Sequence, residues 1–77
     1  MTDRYEFMKV VNRNNAKMYE IAASMGMAAQ TLYNKLGNNT NFTAPEMLKF
    51  RELFPDVTDD EFNKIFFAVE LTAHANE

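Results

Sequence analysis

Two amide side chains that could read nucleic-acid bases lie four residues apart in the middle of the chain. Gln30 and Asn34 each carry a donor and an acceptor, the pair of groups that matches N7 and N6 of adenine in the major groove. A spacing of four places both on one face of a helix, one turn apart. Tyr33 could add a hydroxyl contact to a base or phosphate, and Ala29 could touch a thymine methyl group. The alternative is that all four are ordinary residues of an exposed helix.

The segment around these residues predicts two short helices, at about 17–25 and 28–36, joined by a tight turn at Gly26. Glycine adopts a positive φ at little steric cost, and the small Ala22 lets the two helices cross closely. The apolar residues expected to face inward are Ile21, Ala22, Met25, Met27, Leu32 and Leu36. This layout is that of a helix-turn-helix, in which the second helix enters the major groove of DNA.

Helix-capping patterns predict three further helices. The first runs from about Asp3 to Asn14, and capping boxes begin two others at Thr43 and Thr58, the former ending before Pro55. The residues expected to line these helices on the inside are Phe7, Val10, Val11, Phe50, Leu53, Phe54, Phe62, Ile65, Phe66 and Val69. The sequence therefore predicts an all-α fold of five short helices.

The length of 77 residues indicates a single domain, 1–77, with an ordered core over about 3–71 and a frayed tail at 72–77. The chain has no Cys, which excludes disulfides and thiolate zinc sites. No apolar run approaches the length of a membrane span, and no export signal is visible at the N-terminus. A cytoplasmic location is the expectation.

The formal net charge of −3 is unevenly distributed along the chain. Residues 1–41 hold five basic and three acidic residues, whereas residues 42–77 hold three basic and eight acidic residues. The half that contains the predicted reading helix is mildly basic, and the other half is acidic. This polarity would orient the protein on DNA, although the basic surface is thin.

With the helices placed, residues 20–36, the segment Phe42-Thr-Ala-Pro-Glu-Met47 and the closing residues 61–67 resemble a known family. They look like the Cro/C1-type (xenobiotic-response-element-like) helix-turn-helix family, and are similar to its small phage-encoded members from Gram-positive bacteria. The resemblance implies a compact five-helix lambda-repressor-like DNA-binding domain. It also implies a transcriptional regulator that is often dimeric and acts as a repressor or Cro-like protein.

The starts of both helices of the pair differ from the pattern of that family. Lys17 and Met18 stand where a Ser or Thr cap and a phosphate-contacting Gln are usual, and Ala28 and Ala29 stand where the second helix usually starts with Ser and a polar residue. Base reading then depends mainly on Gln30. These differences motivate an alternative function, in which the fold serves as a protein-interaction module, either an antirepressor or an antitoxin.

The residues expected to contact DNA phosphates surround the predicted reading helix. They are Lys17, Thr31, Lys35 and Arg13, together with backbone amides near Asn38, Asn39 and Asn41. For Lys35 and Arg13, a role in solubility is an equally good interpretation. Because few phosphates would be neutralised, one subunit should bind weakly, and a homodimer on two half-sites is expected. Phe67 and Leu71 are the candidate dimer patch.

One carboxylate cluster follows Pro55 and comprises Asp56, Asp59, Asp60 and Glu61. It lacks the alternating ligands and turn glycine of a calcium loop, and acidic residues are favoured in the first turn of a helix by its dipole. His74 is the only histidine, and no nucleophile–base pair can be built from it. The sequence therefore predicts no metal site, no cofactor and no enzymatic activity.

Overall fold

The computed structural model describes residues 1–67, and over this range the chain forms five α-helices and no strand. They are α1 Arg4–Arg13, α2 Met18–Ser24, α3 Ala29–Leu36, α4 Ala44–Leu53 and α5 Asp59–Phe66. The predicted all-α architecture is confirmed. The expected tail at 72–77, with His74, and the predicted positions of Val69 and Leu71 lie outside the described residues.

Three of the helices begin with a side-chain cap, as their sequences predict. The Asp3 carboxylate accepts a hydrogen bond from the Glu6 amide at 3.1 Å. Thr43 and Thr58 each form a complete capping box with the glutamate three residues later. By contrast, α2 and α3 start without a side-chain cap. The residues at their N-caps, Lys17 and Ala28, have no side-chain oxygen that could accept the hydrogen bond.

Phenylalanine side chains form the centre of the core. The ring of Phe50, on α4, lies 4.7 Å from the ring of Phe7, 5.0 Å from that of Phe54 and 5.5 Å from that of Phe66, measured between centroids. These contacts join α1, α4 and α5. Leu53 was expected in this core but is 37% exposed. Phe50 and Phe54, four residues apart, define the inward side of this segment, and Leu53 lies beside it.

The N-terminal segment is fastened to two distant parts of the fold. The Asp3 amide donates to the Ile65 carbonyl at 2.7 Å, which joins the start of α1 to α5. The Thr2 amide donates to the side-chain oxygen of Asn38 at 2.8 Å, and the Asn38 amide group donates back to the Thr2 carbonyl. With α1 packed on α5, and α2 packed on both α3 and α4, residues 1–67 leave the outer side of α3 uncovered.

Candidate nucleic-acid interface

The turn between α2 and α3 sets the direction of the second helix. Gly26 has a φ of +79°, the conformation predicted for this corner. The Met27 amide donates to the Ala22 carbonyl at 2.9 Å and closes the turn. Leu32 and Leu36 are fully buried on the inner side of α3, so the helix has one fixed rotational setting. Gln30, Thr31 and Tyr33 therefore face outward.

The outer side of α3 presents most of the side chains that the sequence singles out for base contacts. Gln30 and Tyr33 are exposed and Asn34 is half-buried beside them, whereas Ala29 is half-buried and packs against the core on the side of Leu32 and Leu36. The Gln30 Nε2 group donates to Asn34 Oδ1 at 3.1 Å, so the two amides are linked along the helix. The linkage leaves Gln30 Oε1 as an acceptor and the Asn34 Nδ2 group as a donor, the two functions that the major-groove edge of adenine requires.

Lys35 makes its polar contacts within the protein. Its Nζ donates to the Asn41 carbonyl at 2.8 Å and lies 3.2 Å from a Glu46 carboxylate oxygen. The same ammonium lies 5.8 Å from the centre of the Phe42 ring, and only 11% of the side chain is exposed. Lys35 thus ties the end of α3 to the start of α4.

Opposing effects act on the pKa of the Glu46 carboxylate that contacts Lys35. Burial raises the pKa of Glu46, but the hydrogen bonds from Thr43 and Lys35 and the charge of Lys35 outweigh burial and hold that pKa below its ordinary value. Glu46 therefore stays ionised as the partner of Lys35. Phosphate contact by Lys35 would require this arrangement to open.

Arg13 is also paired within the chain, and at the acidic end of the molecule. Its Nε donates to Asp56 at 2.8 Å and its Nη1 donates to Glu61 at 2.7 Å. The hydrogen bonds to Glu61 and Asp56 raise the pKa of Arg13 above its ordinary value, and the hydrogen bond from Arg13 lowers the pKa of Glu61. Sequence reasoning placed Arg13 among the phosphate contacts, whereas the structure joins it to the start of α5.

The other predicted phosphate-binding positions have different surroundings. Lys17 and Thr31 are exposed at the starts of α2 and α3, and Asn39 and Asn41 are exposed in the loop that follows α3. Asn38, with a φ of 65°, uses its side chain to hold Thr2. Lys17, unlike Lys35 and Arg13, forms no ion pair among residues 1–67.

One exposed side chain next to Lys17 was missed by the sequence prediction. Tyr19, in the first turn of α2, is 62% exposed, and its hydroxyl can donate a hydrogen bond to a phosphate. The available signal was its position two residues after Lys17, in the first turn of the first helix of the pair. Lys17, Tyr19 and the outer side of α3 make up the candidate interface.

The carboxylates at the start of α5 are occupied by contacts within the protein. Glu61 completes the Thr58 capping box and binds Arg13, while Asp59 pairs with Arg51 and Asp60 with Lys64. In the described part of the chain, no three His, Cys, Asp or Glu side chains come together as a metal site would require. None of the helices in this range has the length and apolar character needed to cross a membrane.

The fold and this surface define a small all-α protein built around a helix pair, with a polar second helix turned to the outside. Among protein families, the model for phage regulatory protein CII (CP76) matches residues 5–60. The chain belongs to that family, and is thus a member of a family of phage regulators. The match includes both helices of the pair. Neither the curated proteins nor the solved structures gave a significant match.

Proposed function

We propose that this phage regulator is a sequence-specific transcription factor that reads double-stranded DNA through the major groove with α3. The observation that carries the proposal is the exposed polar side of α3, held outward by the buried Leu32 and Leu36. A buried apolar side and an uncovered polar side are what a helix needs to be anchored in a domain and still enter a groove. Membership of a phage regulator family supports the same conclusion.

In this proposal, Gln30 and Asn34 act together on one adenine. Gln30 Oε1 accepts from the adenine N6 group while Asn34 Nδ2 donates to N7, and the hydrogen bond between the two amides holds both in place. Ala29 contacts a thymine methyl group, and Tyr33 extends to a neighbouring base or phosphate. The short list of base contacts limits the specificity of one subunit.

Phosphate contacts come from the ends of the helix pair. Lys17, Tyr19 and Thr31 are exposed there, together with the backbone amides near Asn39 and Asn41. Among these contacts Lys17 alone carries a positive charge, and it forms no ion pair among residues 1–67, so one subunit binds weakly and two copies occupy a two-half-site operator. The protein acts as a repressor or Cro-like regulator by competing sterically at a promoter in the host cytoplasm, without cofactor or catalytic activity.

Selection from a pool of randomised duplex DNA tests this proposal. The purified protein is expected to enrich a short motif that contains adenine and is repeated at a spacing of about one helical turn, 10–10.5 base pairs. Enrichment should fall as salt is raised, because phosphate contacts release counterions. A selection that stays flat even at low salt would contradict sequence-specific binding.

Lys35 and Arg13 each form ion pairs with carboxylates of the same chain, and this favours a second candidate function. With both cations neutralised by carboxylates, the surface around α3 is less basic than the sequence suggests, and the fold could serve as a protein-interaction module, an antirepressor or an antitoxin. A stoichiometric protein partner that co-purifies while the chain shows no retention on DNA would establish this candidate instead.

A further inference from the structure

Two leucines of α4 are left partly exposed by the described chain, Leu48 on the outer side of the helix and Leu53 between its outer and inward sides. Leu48 is 60% exposed and Leu53 is 37% exposed. A cleft of about 310 Å³ adjoins Leu53 and is lined by Ser24, Lys49, Glu52 and Leu53. Leu48, Lys49, Glu52 and Leu53 are called the α4 patch below. The function proposed for α3 does not use it.

The charges of the α4 patch are arranged for contact with a copy of itself. At 100° per residue, Leu48 and Leu53 lie on a diagonal across the helix surface, with Lys49 on one side of it and Glu52 on the other. A two-fold axis along this diagonal places each leucine against the same leucine of the second copy. It also places Lys49 opposite Glu52 of the partner subunit, twice in the interface. An isologous interface requires this kind of self-complementarity.

The existing ion pair on this surface is loose enough to exchange partners. Lys49 Nζ and Glu52 Oε1 are 3.7 Å apart, and the two side chains are 60% and 70% exposed. Exposed pairs of this kind contribute little to the stability of a single chain. In the paired arrangement each charge gains a second opposite charge, between the contact of the two Leu48 side chains and that of the two Leu53 side chains.

We infer that two copies of this protein associate through the α4 patch, with the two-fold axis along the Leu48–Leu53 diagonal and Lys49 facing Glu52 of the partner subunit. The inference deepens the proposed pairing of two copies on DNA by naming the surface where they meet. The patch is small, so association is weak in solution and is completed when both copies bind neighbouring half-sites.

A competing location is the cleft of about 280 Å³ at the other end of α4, bordered by Met1, Met47 and Phe67. Phe67 is 42% exposed. Of the two residues in the dimer patch predicted from sequence, Phe67 is the one that lies within the described residues. Residues 68–77 follow Phe67 directly in the chain, so its exposure does not identify a surface for a second copy. Among the described residues that line this cleft, none is a charged side chain that could form a self-complementary pair.

Sedimentation velocity of the full chain without DNA measures the association. Because the interface is small, the concentrations extend up to about 1 mM. Leu48→Ser is expected to weaken it at least about tenfold, and Tyr5→Ser, which removes another exposed apolar side chain, to leave it unchanged. Circular dichroism melting shows that each variant is folded.

Charge reversal makes the test specific to the geometry. Lys49→Glu and Glu52→Lys should each weaken self-association about tenfold, because like charges then face each other twice. An equimolar mixture of these two variants should associate at least as well as the original protein, since every facing pair is again opposite in sign. A purely structural role for either residue would not produce this rescue.

Three results would overturn the inference: a chain that stays monomeric over the whole range, single variants that are not rescued in the mixture, or dissociation by Phe67→Ser but not by Leu48→Ser. All are read without DNA. Failure of the duplex selection would instead reject the DNA-reading proposal and leave the measured interface standing.

Discussion

The positively charged residues near the candidate interface differ in what their charges already bind. Lys17 is exposed and has no acidic partner among the described residues, whereas Lys35 is mostly covered and contacts Glu46 and the Asn41 carbonyl. Both are lysines within twenty residues of each other, and the sequence treats them alike. The structure separates a cation available to DNA from one that stabilises the fold.

Replacing each lysine by alanine should therefore have different consequences. Lys17→Ala is expected to weaken binding to the selected duplex and to reduce the salt slope by about one per subunit, with little change in stability. Lys35→Ala should lower the free energy of unfolding by about 1 kcal/mol, through loss of its hydrogen bond and ion pair, and leave the salt slope unchanged. Equilibrium titrations at several salt concentrations and urea unfolding measure both effects. Equal salt slopes for the two variants would contradict the distinction.

At the scale of single elements, the helix pair that carries the candidate interface is the least well capped part of the fold. The N-caps of α1, α4 and α5 accept side-chain hydrogen bonds, while Lys17 and Ala28 at the starts of α2 and α3 do not. Unsatisfied amides at a helix start are available to water or to an anion. The start of α3 therefore lacks the stabilising hydrogen bond that a capping side chain would supply. In the proposed function this is the end of the helix closest to DNA.

A serine at the start of α3 should recover that stability. Ala28 already has the extended backbone of an N-cap, with φ −75° and ψ 155°, so Ala28→Ser is expected to raise the free energy of unfolding by about 0.5–1 kcal/mol. Thr43→Ala should lower it by about 1 kcal/mol, and Thr43→Ser should nearly preserve it. Urea unfolding of the three variants tests the set. A destabilising Ala28→Ser would show that this helix start is not arranged as described.

The elements were predictable from sequence because their signals are local. The caps at Thr43 and Thr58, the positive φ at Gly26 and the inward leucines of α3 each follow from residues within one or two turns. The surroundings of Arg13 were not predictable, since its partners Asp56 and Glu61 lie 43 and 48 residues away. The hydrogen bonds between Asn38 and Thr2 span 36 residues and were missed for the same reason.

At the scale of the whole molecule, Arg13 connects the end of α1 to the start of α5. Its guanidinium binds Asp56 and Glu61, and Glu61 also accepts a hydrogen bond from the Thr58 amide. Hydrogen bonding to Arg13, and then to Thr58, lowers the pKa of Glu61 below its ordinary value of 4.5. The ionised carboxylate is therefore favoured more in the folded chain than in the unfolded chain.

This linkage predicts a defined pH dependence of stability. Because the folded pKa of Glu61 is the lower one, its contribution is fully present above about pH 4.5 and is lost as the pH falls through the folded pKa. Glu61→Gln, which keeps an acceptor for the Thr58 cap, should lower the Tm at pH 7, and the difference from the original chain should shrink below pH 4.5. Glu20→Gln, at an exposed glutamate without an ion pair among residues 1–67, is the matched control. A difference in Tm that is constant with pH would contradict the linkage.

The claim that α3 reads DNA sequence is tested most directly by repeating the duplex selection with Gln30→Ala and with Asn63→Ala, which removes an exposed amide from α5. The account predicts that Asn63→Ala returns the same motif as the original chain. Gln30→Ala should lose the preference for adenine at one position of each half-site and keep the other positions, with the preference there reduced by about 1–3 kcal/mol. If Gln30→Ala enriches an unchanged motif, Gln30 does not read that base as proposed.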